Sequence, residues 1–381
     1  MNTFHWLLRA LIVLVSFTPL TASALELRVL SYNVWGIKYI APERAERLDE
    51  IGTRVARLAP DLVAFQEVWL PDDVERFRPQ LESAGLEHYH YFGDYQESSG
   101  LWVASRFPIS RVDFVEFALG RKMSIPWHVD YMAQKGVGII RVETPLGPVE
   151  LANTHLQSSY VVGDYRYVQF DQALQAADRL RGDLDELVAP VIAVGDWNVT
   201  PSSLQFRVLC SRSGLEPAAD DFGIEAILSR SGSALRLVPL SVERVLGEKV
   251  MMPSGERRTL SDHPAILATY ELQPCDGCLP ATVGLKGPLG DEALRFIDDA
   301  TESAERMMMF DRVLTVSLPL LGIVIALRFR RLATRARRAL RCSVVVMLFA
   351  AAGWLAYLGW DFDPYKLDVL AQQRAEILER R

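Results

Sequence analysis

Short apolar runs, four to six residues long and rich in β-branched types, recur through residues 25–273 and most limit how this chain can fold. They are Leu27–Leu30, Leu62–Phe65, Leu101–Ala104, Val137–Val142, Val149–Ala152, Val191–Val194, Ile224–Leu228 and Ala265–Tyr270. Runs of that length with that composition read as strands. Two longer stretches carry the helical period instead. Pro42 to Leu58 places Leu48, Ile51, Val55 and Leu58 on one face and stops before Pro60. Asp164 to Leu187 groups Leu174, Ala177 and Leu180. Strands interleaved with helices point to α/β layers rather than a helical bundle.

The residues at the ends of these runs carry the functional signal. Leu30 leads into Ser31-Tyr32-Asn33, and Phe65 into Gln66-Glu67. Ala152 leads into Asn153-Thr154-His155, and Val194 into Gly195-Asp196-Trp197-Asn198. Ser261-Asp262-His263 precedes the last run. A single polar residue at a strand end is usually a cap or a turn former, and a lone histidine is more often structural than catalytic. Five such ends are harder to dismiss, because strand ends of one sheet converge on a shared rim. Their chemistry is coherent. Glu67, Asn33 and Asp196 offer hard oxygen ligands, which suit magnesium with retained waters. These motifs contain no cysteine, and two histidines do not complete a three-ligand zinc site. Phosphodiester cleavage needs charge stabilised on a phosphoryl oxygen, an activated water and a protonated leaving group. A metal, two histidines, an amide and a carboxylate supply those functions.

Charge bears on the substrate. The formal net charge is -7, although Arg328 to Arg341 alone holds seven arginines. A domain that grips long nucleic acid usually carries the opposite sign, since phosphate neutralisation supplies most of its affinity. The balance leans against a nuclease. Cys275 and Cys278 form a Cys-x-x-Cys with no second pair, so structural zinc is disfavoured and a small loop disulfide is expected.

The two ends of the chain look unlike its middle. Arg9, the apolar Ala10–Leu20 stretch and Ala22-Ser23-Ala24 read as a signal peptide over residues 1–24. Near the other end, Val313–Leu327 and Cys342–Trp360 are uncharged. The second approaches the ~20 residues that a membrane helix needs, and the first is marginal. The arginine run between them is the pattern of a cytoplasmic loop. The expected organisation is a catalytic domain at 25–273, a Gly/Pro-rich linker at 274–306, a transmembrane hairpin at 307–360 with its basic loop at 328–341, and a polar tail at 361–381.

Taken together and in order, Asn33, Gln66-Glu67, Thr154-His155, Gly195-Asp196-x-Asn198 and Ser261-Asp262-His263 resemble the endonuclease/exonuclease/phosphatase superfamily over residues 26–271. Within it the likeness is to neutral sphingomyelinases. Asn33-Val-Trp35-Gly36-Ile37 resembles their Asn-x-Trp-Gly-Ile opening. Ser99-Gly100-Leu101 with Ser105-Arg106-Phe107-Pro108-Ile109 resembles their next block, and Asp130 to Lys135 matches their aspartate-to-lysine step. The resemblance implies a four-layer α/β sandwich, two mixed sheets flanked by helices, with a C-terminal membrane hairpin. It implies that Glu67 holds magnesium, with manganese as an alternative, and that Asn33 touches metal or phosphate. His263 would be the general base, His155 would stabilise phosphoryl oxygens, Asn198 would contact phosphate and Asp196 would orient substrate or assist the leaving group. Asp262 would support the histidines or a second metal, and Lys135 would approach phosphate when Asp130 pairs with it or releases it.

One departure from the family pattern concerns the base. Where relatives carry Arg-Ile-Asp-Tyr, this chain has Gly223-Ile224-Glu225-Ala226. Either Glu225 orients the base with a longer arm, or the base is held less firmly. The stretch between Asn198 and Ile224 is also short, so a substrate loop is expected to be missing. The expected function is hydrolysis of sphingomyelin or a related phospholipid at a bilayer, outside the cytoplasm, with no nucleic-acid partner. Ile125, Pro126 and Trp127 are candidates to dip into the interface. A nuclease or phosphomonoesterase with the same residues, and a non-enzymatic binding module, are the rival readings.

Overall fold

In β1 (Leu25–Asn33) the side chains alternate between two cores, as a strand buried on both faces must. Leu27 and Val29 face a second sheet, while Leu30 and Tyr32 face helices. The structure is a computed structural model. It describes residues 24–93, 98–120, 122, 125, 128–161, 163, 165–181, 189–220, 223–278, 284–285, 287–328 and 334–379. The expected signal peptide, Pro126 and Trp127 lie outside these residues, apart from Ala24.

The elements after β1 are α1 (Arg44–Leu58), β2 (Leu62–Gln66), α2 (Pro71–Ser83), β3 (His88–Gly93), β4 (Ser98–Ser105) and β5 (Ile109–Glu116). Next come β6 (Gly136–Thr144), β7 (Gly147–His155), α3 (Arg166–Arg181), β8 (Val191–Asp196), α4 (Leu204–Ser213), β9 (Glu216–Pro217) and β10 (Leu228–Arg230). The strands end with β11 (Leu235–Val245), β12 (Val250–Met251), β13 (Arg257–Arg258) and β14 (Ala265–Pro274). One sheet runs β11-β14-β1-β2-β4-β3, the other β5-β6-β7-β8-β10-β9, and β12-β13 is a small ribbon.

Three cores give the layers. Leu27, Val29, Leu62 and Val103 of the first sheet meet Ile140, Leu151, Ile192 and Val194 of the second. Leu48, Ile51 and Val55 of α1, with Phe77 and Leu81 of α2, cover the first sheet's outer face. Ala173, Ala177 and Leu180 of α3, with Phe206 and Leu209 of α4, cover the second's. The result is the expected four-layer sandwich, with both sheets mixed.

Several elements leave no apolar run in the sequence. The strands β3, β11 and β5 are sheet edges, where half-solvated residues replace continuous apolar ones. The stretch expected to be short after Asn198 contains α4, capped by Ser203 Oγ accepting from Phe206 N at 3.2 Å. Of the expected strand Ile224–Leu228, only Leu228 lies in β10. The Ile224 carbonyl instead accepts from Trp197 N at 2.8 Å, so Glu225 sits on a loop beside the rim. The helix expected at Asp164–Leu187 begins at Arg166, and its final residues fall outside the described ones.

The C-terminal region is more helical than the expected linker and tail. Cys275 and Cys278 form a disulfide. Helix α5 (Pro288–Arg328) then begins inside the expected linker, burying Ala293, Ile297 and Ala304. Helix α6 (Arg335–Tyr357) starts inside the basic loop, with Thr334 capping Arg337 N at 3.3 Å. A π-helical turn at Leu358–Phe362 leads into α7 (Asp363–Glu379), where a free polar tail was expected. Val369, Leu370 and Ile377 of α7 are buried, because they sit on one helical face against α3 and α5. By length and composition α5 and the helices from Arg335 are apolar enough to cross a membrane. Val316, Leu320 and Val324 on α5 and Val346, Met347 and Phe349 on α6 are exposed, an apolar surface ill suited to water.

Candidate active site

Strand direction assembles the site. Strands β1 and β2 are parallel, with Asn33 beside Gln66. Strands β7 and β8 are parallel, with His155 beside Asp196. Strand β14 runs antiparallel to β1, so its start lies at the same rim where β1 ends. Residues far apart in sequence therefore meet because carboxyl ends of parallel strands share one edge.

Asn33 is the hinge between the sheets. Its Nδ2 donates to Glu67 Oε1 at 3.0 Å and to Asp196 Oδ2 at 3.1 Å. Below it, Gln66 Nε2 donates to Asn153 Oδ1 at 2.7 Å, a second buried amide bridge. His155 Nε2 stands 3.6 Å from Asp196 Oδ2, and His263 Nε2 stands 3.8 Å from the same oxygen. His263 Nδ1 pairs with Glu225 Oε1 at 2.6 Å. Lys135 Nζ lies 3.4 Å from Asp130 Oδ1 and donates to Leu156 O at 3.1 Å. Asn198 Nδ2 donates to the same carbonyl at 3.0 Å. Asp262 is half exposed at 49 % of its side chain, with Oδ1 3.9 Å from His263 Nε2.

The backbone is bent to fit. Glu67 and Asn198 adopt left-handed φ of 62° and 50°, uncommon for residues with a side chain. A Cβ on Gly195 would lie 2.0 Å from Thr154 O, and one on Gly36 would lie 2.1 Å from Glu67 O. Only glycine permits either approach.

Burial and charge divide the titratable groups. Burial pushes Glu67 and Asp196 above the ordinary carboxylate range. Burial, helped by the Lys135 charge, holds His155 well below the usual imidazole value, so it is neutral. Burial also disfavours the charged form of His263, but the Glu225 hydrogen bond and the Asp196 and Asp262 charges outweigh it and raise it to about 9. For Asp130, burial opposes ionisation, and Lys135, His155 and Ser158 more than compensate and keep it ionised.

Among the described residues, the Glu67 carboxylate has the chemistry to suit a small divalent cation. Glu67 Oε2 is buried and has no hydrogen-bond partner, while Oε1 is engaged by Asn33. Among the described residues no group of three His, Cys, Asp or Glu forms a ready-made cage. A single carboxylate with retained waters is a usual magnesium arrangement and a poor zinc one.

A family model described as the endonuclease/exonuclease/phosphatase family matches residues 30–263, which contain every one of these groups. The chain belongs to that family. Among curated members, the inositol phosphosphingolipids phospholipase C of Schizosaccharomyces pombe is 33 % identical over 189 residues, covering 49 % of this chain and 44 % of that protein. Sphingomyelin phosphodiesterase 2 of Mus musculus is 26 % identical over 269 residues, covering 68 % of this chain and 61 % of the other. This chain thus spans between 44 % and 61 % of those relatives' lengths. Sphingomyelinase C from Streptomyces griseocarneus shares the fold, with a TM-score of 0.51 at 20 % identity, over 64 % of this chain and 99 % of that one.

Sequence reasoning missed several groups that hold the rim in place. Arg47 is fully buried; its Nε and Nη2 donate at 2.8 Å to Pro42 O and Trp35 O, and Nη1 reaches Val34 O and Leu260 O. It ties the loop after β1 to the segment that carries His263. Gln157 and Ser158 were also missed; Gln157 Nε2 and Ser158 N bind Asp130 Oδ2 at 2.8 and 2.9 Å. An arginine inside a helix and a glutamine after a strand carry no pattern that marks them as buried.

Proposed function

We propose that this chain is a metal-dependent phosphodiesterase of the phospholipase C type, acting on sphingomyelin or a related phosphosphingolipid at a bilayer. The observation that carries it is the rim where Asn33 joins Glu67 to Asp196, with His155 and His263 both beside the same carboxylate oxygen. The names of the relatives give the substrate class.

Glu67, with Asn33 beside it, would hold the cation, magnesium or manganese. Bound there, it would supply positive charge to a phosphoryl oxygen. His263, turned by Glu225 through Nδ1, points Nε2 at the site, and its neutral form would take a proton from water there. That water forms the new P–O bond while the bond from phosphorus to the ceramide or diacylglycerol oxygen breaks. Neutral His155, Asn198 and Lys135 would donate to the phosphoryl oxygens. Asp196, whose hold on a proton burial strengthens, is suited to protonate the leaving oxygen, and half-exposed Asp262 would support His263.

The hairpin would keep the domain at the lipid surface and raise the effective substrate concentration. The start of α5 and the whole of α7 pack on the catalytic layers, so both ends of the hairpin lie on the domain's side. With a signal peptide at 1–24, that side would be extracytoplasmic, periplasmic in a bacterium, and the arginine loop cytoplasmic. A reporter fused after Arg341 would stay cytoplasmic, and one placed within 25–300 would not.

The full chain, purified in detergent and mixed with vesicles and magnesium, tests the chemistry. Release of the phospho-headgroup from sphingomyelin or inositol phosphosphingolipid, lost in chelator, is the expected result. Cleavage of DNA with no lipid turnover would overturn it.

A further inference from the structure

Helix α3 presents Gln169, Gln172 and Gln175 at three-residue spacing, so neighbouring members of the set share a face. Each reaches backbone around the site. Gln172 Nε2 donates to Leu119 O at 3.0 Å, and its Oε1 accepts from Gln157 N at 2.8 Å. Gln169 Nε2 donates to Gln157 O at 2.8 Å and to Asn198 O at 3.0 Å. Gln175 Oε1 accepts from Ala118 N at 3.1 Å, and its Nε2 donates to Asp171 Oδ2 at 2.5 Å.

The chain of bonds continues to the tail. Gln373 Nε2 of α7 donates to Asp171 Oδ1 at 2.8 Å, and Tyr365 Oη donates to Ala118 O. Lys122 Nζ meets Asp361 Oδ2 at 3.1 Å. A cavity of about 20 Å³, room for about one water, lies between Phe362 of the π-helical turn and Leu119, His128 and Gln157. At the other end, Gln157 Nε2 holds Asp130, whose second oxygen faces Lys135. The charge of Lys135 in turn acts on Glu67, Asp196 and His155.

This network is costly to build, which argues that its geometry matters. Gln172, Asp171, Gln169, Gln157 and Gln373 are all buried. A buried amide left unpaired loses its hydration without return, so each bond made in this set, all but that of Gln373 Oε1, favours one arrangement. Apolar residues would pack α7 on α3 equally well without specifying where Ala118, Leu119 and Gln157 sit.

We propose that Gln157, Gln172 and the α7 residues Gln373 and Tyr365 are positioning residues for the Asp130–Lys135 pair, so that the segment after the membrane hairpin acts on catalysis as well as tethering it. This rests on the phosphodiesterase reading. Displacing α7 shifts Ala118 and Leu119, loosens Gln172 and Gln157, and lets Lys135 drift from the phosphate position.

The test uses the full chain in vesicles containing sphingomyelin. Gln172→Met and the pair Gln373→Leu with Tyr365→Phe are each expected to lower kcat about 10- to 100-fold with KM unchanged, the cost of a small misplacement of a reacting group. Amide exchange at 118–120 and 129–133 should quicken in both, while the central strands stay protected. Val369→Ala, which loosens the apolar packing of α7 but leaves the hydrogen bonds, should keep kcat near wild type at a matched loss of Tm. Equal activity losses at equal Tm, or full kcat in Gln172→Met, would overturn the proposal. If the wild type hydrolyses no phosphodiester, the exchange arm decides alone. Quickened exchange in the variants then upholds the network while the phosphodiesterase reading falls, and unchanged exchange removes the network as well.

Discussion

Glu225 Oε1 lies 2.6 Å from His263 Nδ1, so the glutamate reaches that histidine from its loop despite standing where relatives are expected to carry an aspartate. Glu225 stands on the loop beside the rim, next to Ile224, whose carbonyl accepts from Trp197 N. Under the proposed mechanism Glu225 is a positioning residue, since it would act on the reaction through His263.

Glu225→Gln should lower kcat about 100-fold, because the amide no longer favours the tautomer with Nε2 free. It should also move the acid limb of the kcat/KM profile to lower pH. The sign comes from the charge: Glu225 helps raise His263 to about 9, so removing it lowers that value, and the neutral base then appears at lower pH. Glu225→Asp, with its shorter arm, should lose rate as well. A limb that does not move would remove His263 as the base.

Glu67→Gln should abolish divalent-cation binding measured by calorimetry and lower activity at least about 100-fold, each factor of ten being about 1.4 kcal/mol of barrier. The fold should persist, since the buried Glu67 is pushed above the ordinary carboxylate range and a neutral amide suits that place. Unchanged metal affinity would move the cation elsewhere.

Arg47→Met should destabilise the protein by about 3 kcal/mol or more, because four carbonyls lose their donor, several of them in the interior. The drop in Tm should come with a loss of kcat, since the Val34–Trp35 and Leu260 backbone beside the rim is released. A stable variant with full activity would show that those carbonyls find water instead.

Asp171 is raised by burial to about 7, against an ordinary value of 3.8. A carboxyl raised in the folded state contributes stability that is full below the unfolded value and is lost as pH rises through the folded one. Wild-type Tm should therefore fall as the pH passes from about 4 to about 7, and Asp171→Asn should narrow that fall when both are scanned from near pH 5 to near pH 8. An identical profile in the variant would show that Asp171 is ionised in the folded protein.

How much of this is legible in the sequence depends on where each residue sits in its element. The runs ending at Leu30, Phe65, Ala152 and Val194 are central strands buried on both faces, so hydropathy alone marks them and the chemistry at their ends. The edge strands β3, β5 and β11 alternate with solvent and leave no comparable mark. Helix α7 reads as a polar tail because its buried stripe, Val369, Leu370 and Ile377, is thin among charged residues. The disulfide is legible, since two cysteines three residues apart in a loop with no partner pair leave few other fates.

By itself the sequence determined the α/β class and the residue types available at the rim, which come from local period and side-chain chemistry, while the two-sheet layering was what its resemblance to a known family implied. Only the tertiary structure decided which of those residues meet: that Asn33 bridges Glu67 and Asp196, that Glu225 reaches His263, and that Gln373 reaches Asp171. Those contacts join positions up to 202 residues apart, and they depend on strand direction and sheet packing, to which no local pattern is sensitive.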